Sequence, residues 1–285
     1  MSDRIEPIRR LGFNHIALFG HLAWKYPETF LPHYSLDLPS RVLQAADRIL
    51  KAFDLFQDRR SREIFVSHID WRLHLNYDSL PPPANEAIYF NSRLIRPLNK
   101  EFLIDGGAFT GDTINEFLGT FGREGFMRIL SFEPDPCNFI GLKKYIETLP
   151  ADLQSKIIPM PCALAAESNF ITVETSGGPS SRVGYGNHTV ACQMIDDFSD
   201  VEGAPTFIKL DIEGYEPQAL RGAAKVLHQS HPVVAVCVYH MQDHLWEIPL
   251  EIASHVSDYH YTLVPHLSDG WDLVLYAVPP HRLPN

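Results

Sequence analysis

The chain is poor in several things, and each shortage narrows what it can be. Only four of its 285 residues are cysteine: Cys137, Cys162, Cys192 and Cys237. They lie far apart and form no C-x-x-C pair, which argues against a disulfide frame and for buried free thiols in a reducing compartment. Basic residues are scarce and scattered, 24 Lys and Arg against 35 Asp and Glu, for a net charge of −11. Neutralising phosphates needs a basic face, so nucleic acid is not an expected partner. No apolar run approaches the roughly 20 residues that cross a bilayer. The opening Met1-Ser-Asp-Arg-Ile-Glu6 has no signal-peptide pattern, so a soluble cytoplasmic protein is expected. There is no internal repeat. The length allows one large or two modest domains, and a hydrophobic content of 45% suffices for a real core.

One motif is absent. Glu101-Phe-Leu-Ile-Asp-Gly-Gly-Ala-Phe-Thr-Gly-Asp-Thr113 has an apolar run ending in Asp105, then Gly106, Gly107 and Gly111. This reads as a buried strand, a tight turn and a helix N-terminus, the usual place for a nucleotide-like cofactor in an α/β fold. A dinucleotide fingerprint needs G-x-G-x-x-G, and Phe109 stands where the middle glycine belongs. Asp105 also puts a carboxylate where a pyrophosphate would sit. A cationic ligand without phosphate suits it better, and S-adenosylmethionine is such a ligand. An NAD-linked oxidoreductase is weakened by the same two residues.

A second acid agrees. Arg128-Ile-Leu-Ser-Phe-Glu133 reads as the next strand, ending where a carboxylate can accept both ribose hydroxyls of an adenosine. Asp135-Pro136 then reads as N-cap and first residue of a helix.

From about residue 98 the pattern alternates. Strands are expected at 102–105, 128–133, 157–162, 206–211 and 233–238, helices near 112–120, 136–148, 216–228 and 246–257. The runs Tyr259 to Val264 and Asp272 to Val278, parted by Ser268-Asp269-Gly270, predict a terminal hairpin. The expected fold is a Rossmann-like α/β domain with a mostly parallel seven-stranded sheet and that antiparallel hairpin. The interval 163–205 is too long for an ordinary connection. Its strand-like runs Phe170 to Glu174 and Thr189 to Ile195 flank a glycine- and serine-rich Ser176 to Gly186, which predicts a β insertion with a mobile loop over the site. Residues 1–97 predict a mainly helical region. One helix is capped by Ser40, with Val42, Leu43, Ala46, Ile49, Leu50 and Phe53 on one face; another covers about Arg60 to Leu73. Trp24, Tyr26, Phe30 and Tyr34, interleaved with prolines, predict irregular packed structure.

Ligands of open α/β sheets bind beyond the carboxyl ends of the strands. The fourth strand delivers Asp211, in Phe207-Ile-Lys-Leu-Asp-Ile-Glu-Gly-Tyr-Glu216, with Glu213 in the same turn. The fifth ends in Val238-Tyr-His240. Methyl transfer from a sulfonium needs donor and acceptor in line and a proton removed from the acceptor. Asp211, Glu213 and His240 can supply a general base or a site for a divalent cation such as magnesium. The spacing leaves both open. His240 and His244 do not form an H-E-x-x-H pattern. Tyr89 can wall the cofactor pocket or simply pack.

These motifs together resemble the FkbM-type family of S-adenosylmethionine-dependent methyltransferases. The resemblance covers about residues 85–278 and includes Lys209-x-Asp211-x-Glu213-Gly-x-Glu216 and Trp246-Glu-Ile-Pro249. It implies methyl transfer, usually to oxygen. It also implies that Asp105, Gly107 and Gly111 hold the methionine end, Glu133 the ribose, and Ala163 the adenine. Gly106, Asp112, Thr113, Asp135 and Asp211 complete the expected cofactor set. Asp211, Glu213 and His240 would face the acceptor. The acceptors it implies are saccharide or natural-product hydroxyls, or the amides of a peptide. Cys162 departs from the pattern beside Ala163. A non-catalytic binding protein of the same fold is the remaining alternative.

Overall fold

The computed structural model describes residues 2–173, 188–199 and 203–284. The Ser176 to Gly186 stretch expected to form a loop over the site lies outside them, as does Glu174. In chain order the strands are β1 (Glu101–Gly106), β2 (Phe126–Phe132), β3 (Ile157–Met160), β4 (Ala163–Leu164), β5 (Phe170–Val173), β6 (His188–Gln193), β7 (Phe207–Leu210), β8 (Val233–Cys237), β9 (His260–Pro265) and β10 (Leu273–Val278). Among the described residues a seven-stranded sheet runs in the order β3-β2-β1-β7-β8-β10-β9. β10 lies antiparallel to both its neighbours; the other pairs are parallel. This is the expected Rossmann-like sheet with its terminal hairpin. β4, β5 and β6 form a small second sheet within the expected insertion.

Central strands of a parallel sheet are covered on both faces, so they carry no alternation. β1, β7, β8 and β10 are buried at every position. Helices Asp112–Phe121, Pro136–Glu147 and His244–His255 supply the cover between strands. The helix expected over 216–228 is two, Glu216–Arg221 and Ala224–Ser230.

The N-terminal region departs from expectation in detail. The helix expected from Ser40 is also two, Pro39–Gln44 and Ala46–Phe53, meeting at Ala45. Pro39 starts the first of them and Leu38 is its N-cap, so Ser40 lies inside the helix. Trp24 lies in the short helix Phe19–Lys25 and Tyr26 caps its end, and both are exposed rather than packed. Helix Arg59–His74 forms as expected; Asp58 caps it by accepting from Ser61 N at 2.8 Å.

The region is joined to the sheet by one core that includes Val42, Ala52, Phe56, Ile64 and Phe65. Residues 56–61 run along the outer edge of β9. Phe56 bridges Tyr261, Tyr261 N donates to Gln57 Oε1 at 3.1 Å, and Leu263 N donates to Ser61 Oγ at 2.9 Å. An exposed sheet edge invites pairing with other chains, and this segment covers it. At the other end of the chain, Arg282 is buried in an ion pair with Glu101 at the start of β1.

Candidate active site

Three strand ends meet at one edge. β1 runs into the turn 107–111 and β7 into 211–215. The two turns pack so closely that a Cβ on Gly107 would lie 1.8 Å from the Asp211 carbonyl oxygen. Gly107 also holds φ at 76°, so glycine is required on both counts. Lys209 ties the turns together from below. Its Nζ lies 3.2 Å from Asp105 Oδ1 and donates to the Gly106 and Gly107 carbonyls at 3.0 and 2.7 Å. Burial pushes the Asp105 carboxyl up and Lys209 opposes it; burial pushes Lys209 down, and Asp105 and Asp211 more than reverse this.

Above this edge lies a cleft with about 810 Å³ of empty space, open mouth included. Its walls include Tyr89, Gly107, Phe109, Asp112, Thr113 and Glu133 at one side, and Asp211, Glu213 and Tyr215 at the other. Phe132, Pro134, Cys162, Ala163 and Leu164 form an apolar stretch. Burial pushes the Cys162 thiol up to about 12, so it is wall and not nucleophile. Four carboxylates and a single ammonium, Lys209, line the cleft. Tyr89, Phe109 and Glu213 all hold positive φ (65°, 45° and 55°), a strain of about 1–3 kcal/mol each that clusters where ligands bind.

Glu133 accepts from Phe109 N at 2.8 Å and Asp135 N at 2.9 Å. Burial nonetheless raises its carboxyl to about 7. Each of its oxygens keeps lone-pair capacity for a further donor.

The cluster at the other side is built around Glu216, which is fully buried. Its carboxylate accepts from Ile212 N at 2.8 Å and Gly214 N at 3.1 Å, fixing the turn that carries Glu213. It also meets His240 Nδ1 at 2.8 Å. His240 Nε2 faces Asp211 Oδ1 at 3.3 Å and Glu213 Oε1 at 3.7 Å. Tyr89 Oη donates to Asp211 Oδ2 at 2.7 Å. Burial pushes the His240 imidazole down, but Glu216 and Asp211 outweigh it and hold it well above its ordinary value. Burial likewise pushes Asp211 up, and His240 and Lys209 bring it well below the usual carboxylate range.

His240 is held among three carboxylates, which favour its protonated form. A protonated imidazole donates and does not accept, so these contacts favour a positioning role for His240 over general-base work. Asp211, Glu216 and His240 offer ligand atoms within 4.8 Å of one another. Yet Glu216 meets Nδ1 and Asp211 meets Nε2, on opposite edges of the ring. A proton on each nitrogen suits these two contacts, and an ion beside one nitrogen is the other arrangement that the same atoms allow.

Of the expected cofactor residues, Gly107, Asp112, Thr113, Glu133, Ala163 and Asp211 line the cleft together. Asp105, Gly106, Gly111 and Asp135 stand behind it. Asp105 is fully buried and engages Lys209. Gly111 leads into helix Asp112–Phe121 and lies against the Tyr145 ring. Asp135 spends its carboxylate capping helix Pro136–Glu147, accepting from Cys137 N and Asn138 N. Glu213 lines the cleft, and His240 lies just beyond it. Sequence reasoning passed over Lys209 and Glu216, although both stand in the Lys-x-Asp-x-Glu-Gly-x-Glu motif. It also left Tyr89 undecided.

The FkbM methyltransferase domain model matches residues 105–263, more than half of the chain. The chain belongs to the FkbM methyltransferase family. A crystal structure of methyltransferase FkbM from Methylobacillus flagellatus KT superposes with a TM-score of 0.73 at 25% identity, covering 86% of this chain. This chain spans 62% of the length of that protein. A precorrin-6y C5,15-methyltransferase from Geobacter metallireducens GS-15 is far more distant, with a TM-score of 0.40 at 12% identity, covering 66% of this chain and 84% of that one. No curated protein matches the chain. Among the described residues no helix is long and apolar enough to cross a membrane.

Proposed function

We propose that this FkbM family member uses S-adenosylmethionine to methylate a hydroxyl of a small acceptor, a saccharide or natural product. The observation that carries the reading is the acidic cleft at the carboxyl ends of β1 and β7. A surplus of carboxylates over a single ammonium favours a cationic ligand and disfavours a pyrophosphate. Asp211 lines the cleft, and its buried Oδ1 has only the His240 ion pair at 3.3 Å, without a hydrogen bond. Such atoms are costly unless the site completes them. Glu133 would hold the ribose hydroxyls, Phe132, Ala163 and Leu164 the adenine, and Asp112, Thr113 and Asp211 the amino-acid end. When bound, S-adenosylmethionine supplies an electrophilic methyl group on a sulfonium.

The residues around that group divide the work. Asp211, held ionised by His240 and Lys209, is too weak a base to take a proton readily and instead orients charge. Glu213 lines the same cleft, and its carboxylate takes the proton given up by the acceptor hydroxyl. His240 and Glu216 fix both acids from behind. No divalent cation is needed in this arrangement. Calorimetric titration with S-adenosylmethionine and, separately, NAD tests the first part. Saturable binding of the sulfonium alone is expected, and binding of NAD alone would refute the reading. Glu213→Gln should keep cofactor affinity and lose roughly 10²-fold in turnover; unchanged turnover would remove Glu213 as base.

A further inference from the structure

Beyond His240 the rings continue. Tyr239 lies against His240 with centroids 4.2 Å apart, Trp271 stacks on Tyr239 at 6.4 Å with planes 17° apart, and Tyr34 meets Trp271 at 4.6 Å. Trp271, from the turn between β9 and β10, is 38% exposed, and Met241 and Leu267 nearby in the chain are exposed as well. The wall is tied to the catalytic strand end. Ser35 Oγ hydrogen-bonds the Tyr239 carbonyl, Asp37 N donates to Gln242 Oε1 at 2.8 Å, and Asp272 takes a hydrogen bond from the Tyr239 hydroxyl. Tyr34 and Asp272 both hold positive φ (47° and 50°), so the backbone accepts strain to set these rings. Tyr34 and Trp271 lie outside the matched residues 105–263, and Tyr239 lies within them.

We infer that Tyr34, Trp271 and Tyr239 form the acceptor subsite, and that it takes the apolar face of a neutral pyranoside. This rests on methyl transfer at the adjoining cleft. An exposed indole backed by rigid rings offers a flat apolar platform at low entropic cost. Carboxylates border it: Asp211 and Glu213 on the cleft side, Asp272 beside Tyr239. They are acceptors matched to a rim of hydroxyls. The cations touching these elements are already engaged. Arg41 pairs with Asp37 at 2.5 Å, and Arg72 is buried with its Nε and Nη1 on the Gln242 and His68 carbonyls. A phosphorylated or carboxylated acceptor would meet acids without a counter-charge.

The test is titration of the protein saturated with S-adenosylhomocysteine by methyl glucoside, methyl galactoside and methyl mannoside, in the unmodified chain and in Trp271→Ala, Trp271→Phe and Tyr34→Ala. At least one pyranoside is expected to bind. Affinity should fall roughly tenfold or more in Trp271→Ala and stay within about threefold in Trp271→Phe. S-adenosylhomocysteine affinity should be unchanged in every variant, which also shows that each is folded. The inference is overturned if Trp271→Ala binds the pyranoside as the unmodified chain does. It is equally overturned if none of the three sugars binds, whether or not catechol or a short amide-bearing peptide does. If the unmodified chain fails to bind S-adenosylhomocysteine at all, the methyl-transfer reading falls first and this subsite with it.

Discussion

Glu216→Gln changes one atom at the point where the turn and the imidazolium meet. The isosteric amide keeps an oxygen for Ile212 N, but its nitrogen replaces the oxygen that accepts from Gly214 N at 3.1 Å, and the negative charge facing His240 Nδ1 at 2.8 Å is lost. One charge-assisted hydrogen bond in a buried place is worth about 2 kcal/mol. Deleting the side chain outright would cost about 3–5 kcal/mol, since it would leave a buried charge uncompensated. For a chain of this size a loss of about 2 kcal/mol lowers the melting temperature by roughly 4–6 °C. The pH dependence distinguishes this account from simple packing loss. The folded-state value of His240 is raised, so its contribution is fully present below its unfolded value, about 6.5, and is lost as pH rises through the folded value. Burial opposes ionisation of Glu216, but His240 outweighs it and holds the carboxyl below its ordinary value. Its contribution is therefore present above its unfolded value and lost as pH falls through the folded one. The gap between wild type and variant should be widest near pH 6 and narrow toward pH 9. Differential scanning fluorimetry across that range measures it. A gap that stays constant, or that widens on the alkaline side, refutes the paired imidazolium.

Other consequences are simpler to test. Glu133 sits near 7 without ligand, and hydroxyl donors favour its ionised form. Cofactor binding should weaken about tenfold between pH 8 and pH 6, and Glu133→Gln should bind weakly at both; equal wild-type affinities at the two pH values would contradict the ribose assignment. Gly107→Ala forces a Cβ against the Asp211 carbonyl, a strain of roughly 3 kcal/mol that should lower the melting temperature by about 6–9 °C; an undisturbed melt would mean that the two turns can part. Treatment with EDTA should leave turnover within about twofold, and loss restored by magnesium would reinstate a metal at Asp211 and His240.

Much of the fold was legible because its signals are local. Buried parallel strands read as unbroken apolar runs, and Asp105, Glu133 and Asp211 close or directly follow such runs. The Asp135-Pro136 cap was equally plain, because N-cap and first-turn chemistry lie in adjacent residues. What escaped depended on partners distant in sequence. Asp105 looked like a ligand because it ends a strand, yet β7 brings Lys209 beneath it. His240 looked like a base or a metal ligand, and only Glu216, from the turn after another strand, favours its protonated form. Tyr89 is undistinguished in sequence; it reaches Asp211 because its loop folds back over the sheet. In the N-terminal region helical periodicity ran straight through Ala45, where the chain turns to follow the surface of the sheet.

The segment that covers β9 has a bearing on how the chain reaches its native state. Ser61 meets Leu263, a residue 202 positions further along the chain. During synthesis the N-terminal helices leave the ribosome with Phe56, Ile64 and Phe65 bared, and their surface for burial does not exist until the final hairpin has been made. Contacts this distant carry the loop-closure cost that slows folding. The helices therefore depend on whatever shields them in the interval, and a messenger truncated before the codon for His260 would leave them permanently uncovered. Residues 56–61 cannot take their native place before β9 has been made.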